Sequence, residues 1–73
     1  MLDVLVGSWN QLRGPIKTWW GKLTDADLDR INGKYGILVS VLQKKYGYSA
    51  RQAKEQIDRR LAEFERGHRA LTG

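Results

Sequence analysis

The chain has 73 residues, 41% hydrophobic and 29% charged, with a formal net charge of +5, no cysteine and one proline. That length holds one small domain and no second. The absence of cysteine excludes a disulfide framework and, with a single histidine, a zinc staple, so the core must come from helix packing or self-association.

Leu2, Leu5, Trp9, Leu12, Ile16, Trp19 and Leu23 recur at steps of three and four, with Val6 and Trp20 flanking the stripe. This is a helical period, and no strand alternation produces it. Gly14-Pro15 interrupts the stripe, because proline lacks an amide donor and sits comfortably only in the first turn of a helix. The expected elements are therefore helices over roughly 2–13 and 15–20, joined by a kink, with Gly21 as a permissive stop. Adjacent residues of a helix point about 100° apart. Trp19 and Trp20 cannot then both be central, and the partly exposed one marks a contact surface.

Leu23-Thr24-Asp25-Ala26-Asp27-Leu28 reads as a helix start. Thr24 is the N-cap, Asp27 takes the reciprocal place three residues on, and Leu23 and Leu28 form the hydrophobic staple. Leu28, Ile31, Tyr35, Leu38, Leu42 and Tyr46 continue the three-four spacing, which Gly33 and Gly36 divide near 33–36. The expected helices are 25–33 and 35–46. Gly47 fits a left-handed stop, Ser49 a cap and Gln52 its box partner. Ala50, Ala53, Ile57, Leu61 and Phe64 then form the buried stripe of a last helix over 50–66, ended by Gly67, with 67–73 frayed. The fold class is all-α, a single-domain bundle of four to five short helices.

No apolar run is long enough to span a membrane, and the start of the chain lacks a basic leader and h-region. The chain reads as a cytoplasmic protein. Residues that could carry catalysis are poorly placed. His68 follows Gly67 in the loose tail, and Ser8, Ser40 and Ser49 have no histidine at helical spacing. Asp25-x-Asp27-x-Asp29 starts like a calcium loop, but the glycine and glutamate places hold Arg30 and Gly36. The expectation is no catalytic residue, no metal and no cofactor.

Basicity is C-terminal: residues 44–73 hold eight Lys/Arg against four Asp/Glu. Residues 42–57 resemble the turn of a helix-turn-helix, which offers an alternative reading as a nucleic-acid-binding module with Lys44, Lys45, Arg51, Gln52 and Lys54 as contacts. Two features weigh against it. Gln43 stands where close helix approach favours alanine or glycine. The last helix also alternates Arg51, Glu55, Arg59, Glu63 and Arg66 along one side, whereas a phosphate-neutralising stripe keeps one sign.

Gly7-x-Trp9-x-Gln11-Leu12-x-Gly14, Trp20-Gly21-Lys22-Leu23-Thr24-Asp25-x-Asp27-Leu28, Ile31-x-Gly33-Lys34, Leu38, Leu42-Gln43, Tyr46-Gly47 and Ala53 together resemble the CsbD-like family of small bacterial general stress-response proteins. The resemblance runs from about residue 3 to residue 61, and the block at 20–28 is its most specific part. It implies a short all-α domain of the bacterial cytoplasm, abundant under stress, grouped with hydrophilic protective proteins and without an established catalytic activity. The chain departs from the family pattern in its apolar start, in Pro15, in Trp19 and in Ser40. Those changes add apolar surface, so Leu2, Leu5, Val6 and Trp19 are the expected face for self-association or a protein partner.

Overall fold

A computed structural model describes the backbone of residues 7–72 and the side chains of residues 7–66. Among the described residues four helices follow one another: α1 (Trp9–Trp19), α2 (Asp25–Ile31), α3 (Tyr35–Tyr46) and α4 (Ala50–Thr72). The fold is all-α, as the three-four spacing requires. Leu2, Leu5 and Val6 lie outside the described residues.

Two helix starts are written in reciprocal caps. The Asp27 amide donates to Thr24 Oγ1 at 3.1 Å while the Thr24 amide donates to Asp27 Oδ2 at 2.9 Å. Before α4, the Gln52 amide donates to Ser49 Oγ at 3.1 Å and the Ser49 amide to Gln52 Oε1 at 2.9 Å. Each box satisfies two donors that a helix start would otherwise leave to water. Stops are equally local. Asn32 (φ 43°) and Gly33 (φ 81°) turn left-handed after α2, and Gly47 (φ 70°) does so after α3, its amide donating to the Gln43 carbonyl at 2.9 Å.

Three expectations are corrected. Gly14-Pro15 does not split α1, which runs unbroken with Pro15 inside it. Proline deprives only the Gln11 carbonyl of its amide, and Gln11 is exposed, where water replaces the bond. Gly14, having no Cβ, also avoids the clash that drives other residues before proline out of helical geometry. Gly67 does not end α4, which continues to Thr72; an interior glycine costs about 1 kcal/mol, and a helix this long absorbs it. Ala50, expected in the stripe, is exposed.

Among the described residues the core is one cluster of fourteen buried side chains drawn from these four helices and the 20–24 linker. Trp9, Leu12 and Ile16 come from α1, Leu28 and Ile31 from α2, Leu38, Val39, Val41 and Leu42 from α3, and Ala53, Ile57 and Leu61 from α4. Helix α3 packs against both α2 and α4, so it buries a wider face than a surface helix does, and Val39 and Val41 join it. At 23 residues, α4 is about 34 Å long, close to the 37 Å long axis of the molecule. No helix among the described residues is long and apolar enough to cross a membrane.

Candidate functional site

Helix α1 ends at Trp19, and the next residue leaves helical geometry (φ −124°, ψ 83°), which turns the Trp20 ring inward beside Leu23. Trp20 is 3% exposed, whereas Trp19 is half-buried and meets it edge to face, with ring centroids 5.8 Å apart. The Arg60 guanidinium of α4 sits over the Trp19 ring at 5.9 Å. Trp19 is thus the described member of the expected contact face. Trp9 is buried, and its indole N–H finds no acceptor among the described residues.

A second aromatic group lies where the 20–24 linker meets the end of α3. The Lys22 amide donates to the Tyr46 hydroxyl at 3.1 Å, the Lys22 ammonium stands 5.1 Å from the centre of the same ring, and Tyr46 stacks on Tyr48 at 5.4 Å. The left-handed Gly47 between the two tyrosines folds the chain back so that their rings meet. Sequence reasoning missed this group, although Tyr-Gly-Tyr across a helix stop was a readable signal.

Three of the five residues proposed for nucleic-acid contact commit their side chains within the fold. Lys45 Nζ lies 3.2 Å from Asp27 Oδ2, Arg51 Nε lies 3.2 Å from Glu55 Oε1, and Gln52 spends its side-chain oxygen on the Ser49 cap. Lys54 lends its backbone carbonyl to the Tyr35 hydroxyl at 3.5 Å, and Lys44 is exposed. This arrangement gives the helix-turn-helix reading no support. The three aspartates of α2 are likewise not gathered on one point: Asp29 meets Arg13 at 2.8 Å, Asp25 meets Lys17 at 2.8 Å, and Asp27 meets Lys45. Among the described residues no group of three or more His, Cys, Asp or Glu could hold a metal ion.

Among the described residues three groups titrate away from their ordinary values. The Lys17 ammonium, by hydrogen bond and charge, holds Asp25 below 3.8, and the Thr24 amide, helped by Lys45, does the same for Asp27. Tyr35 is pushed up to about 12, by burial first and then by its 2.8 Å hydrogen bond to Asp58 Oδ1. The carboxylates therefore stabilise the fold above pH 3.8 and lose that contribution as pH falls through their lowered values. Tyr35 acts in the opposite sense: its contribution is complete below its ordinary pH of 10 and is lost as pH rises through about 12. Thermal melts against pH should show both edges. The phenolate absorbance lost in Tyr35→Phe should be centred near pH 12, and a difference centred near 10 would contradict the Tyr35–Asp58 bond.

Core, caps and self-paired surface define the class: a small all-α domain whose described polar groups mostly serve its own architecture. The chain is 46% identical over 56 residues to the UPF0337 protein YjbJ of Escherichia coli, spanning 77% of this chain and 81% of that one. A UPF0337 protein of Protochlamydia amoebophila is 42% identical over 67 residues, 92% of this chain and 96% of its own. One from Pseudomonas aeruginosa is 46% identical over 55 residues, 75% and 85% of the two chains. The chain belongs to the UPF0337 family. No family model and no solved structure matched it.

Proposed function

We propose that the protein is a bacterial stress-response protein of the CsbD-like type, acting in the cytoplasm by binding or protection and without catalysis. The observation that carries this reading is where the resembling residues sit. Trp9, Leu12, Trp20, Leu23, Leu28, Ile31, Leu38, Leu42 and Ala53 are core, and Thr24, Asp27 and Gly47 are caps and a stop. A motif spent on architecture specifies a shape rather than a reacting centre. The protein then acts through its surface and its abundance, and the partner-facing side is the Trp19 end, where an aromatic ring stays half-exposed.

A strain lacking the gene should grow normally when unstressed and lose viability under osmotic, heat or stationary-phase challenge. Survival equal to the parent in all three would overturn the proposal. So would a substrate turned over by the purified chain.

A further inference from the structure

Helix α2 is seven residues long, too short to hold itself together, and it contributes only Leu28 and Ile31 to the core. Its charge pattern sets it apart. Among the described residues, each ion pair that joins two different helices ends on α2: Arg13–Asp29 and Lys17–Asp25 tie it to α1, and Lys45–Asp27 ties it to α3. The remaining two, Arg51–Glu55 and Arg60–Glu63, lie within α4. Asp25 and Asp29 keep 75% and 69% of their side-chain surface in solvent, so mobile ions reach both α1 pairs. The α3–α4 contact is built differently, from buried aliphatic side chains and the Tyr35–Asp58 hydrogen bond. Apolar burial is not screened by salt.

We infer that α2 is a salt-released element: rising ionic strength loosens its ties to α1 and α3 and opens it locally, while the α3–α4 pair stays closed. This sensitivity is a property of the chain alone and does not depend on the stress-response reading.

Amide hydrogen exchange of the whole protein tests it across a potassium chloride titration, with sucrose at matched osmolality as the uncharged control. The Leu28 and Asn32 amides, bonded to the Thr24 and Leu28 carbonyls at 3.0 Å, report α2, and the Leu38 and Ile57 amides serve as references on α3 and α4. From low to molar salt the α2 amides should exchange about three- to tenfold faster relative to the references. Sucrose should not reproduce the change. In the Arg13→Gln/Lys17→Gln double variant, which leaves the Thr24–Asp27 cap intact, the salt response should shrink. An α2 rate indifferent to salt, an equal change in all helices, a matching effect of sucrose, or an undiminished response in the variant would each overturn the inference. Should the variant fail to fold, the parent titration with its sucrose control decides alone.

Discussion

Replacing Leu38 by alanine is expected to remove most of the stability this chain has. Leu38 is fully buried on the helix that packs against both α2 and α4. Truncating a leucine there costs about 2–5 kcal/mol, through lost transfer energy and the cavity left behind. A single core in this size class supplies roughly 3–5 kcal/mol in total. The variant should therefore melt far below the parent and, at the upper end of that range, populate the unfolded state at room temperature. Urea unfolding followed by helical circular dichroism measures it. A midpoint equal to the parent's would mean that Leu38 is not where the structure puts it.

The second large effect separates two neighbours of identical chemistry. Trp20→Ala empties a site that is 3% exposed, at a cost of about 3–5 kcal/mol. Trp19→Ala removes a half-buried ring, its edge contact with Trp20 and its contact with Arg60, for about 1–2 kcal/mol. Denaturation of the two variants side by side reads the difference directly. Equal losses, or a larger loss at Trp19, would contradict the inward turn of Trp20.

That pair shows what the sequence could and could not reveal. Helical spacing correctly required the two rings to differ, yet it placed Trp19 on the stripe and Trp20 beside it. Spacing alone does not say which of the two is exposed; Trp20 turns inward because α1 stops at Trp19, and past a helix end the 100° rule no longer governs direction. Starts and stops were legible wherever the chemistry is local: Thr24 with Asp27, Ser49 with Gln52, and Gly47 act within four residues of themselves. The same locality misled at Gly14-Pro15, since the penalty for an interior proline depends on whether the freed carbonyl faces water, and only the packing decides that.

The polar contacts that organise the surface were not legible. Tyr35–Asp58 and Lys22–Tyr46 join residues 23 and 24 positions apart, and no periodicity announces such partners. Of the charges that suggested a nucleic-acid surface, alternation along α4 pointed to the Arg51–Glu55 pair, because that pair sits within one turn. Lys45 could not be discounted the same way: its partner Asp27 lies on a different helix, and it became visible only once α2 and α3 were side by side. Of the residues expected on a contact face, only Trp19 falls among the described residues, since Leu2, Leu5 and Val6 precede them.

The link between α3 and α4 is three residues long, with its reversal set by Gly47 and its exit by the Ser49 cap. So short a link makes the hairpin's closure entropy small, and its partners need almost no search along the chain to find each other. Proteins dominated by such near-neighbour contacts refold quickly. The α2–α3 link, residues 32–34, is equally short, so both neighbouring pairs should re-form quickly after denaturing heat.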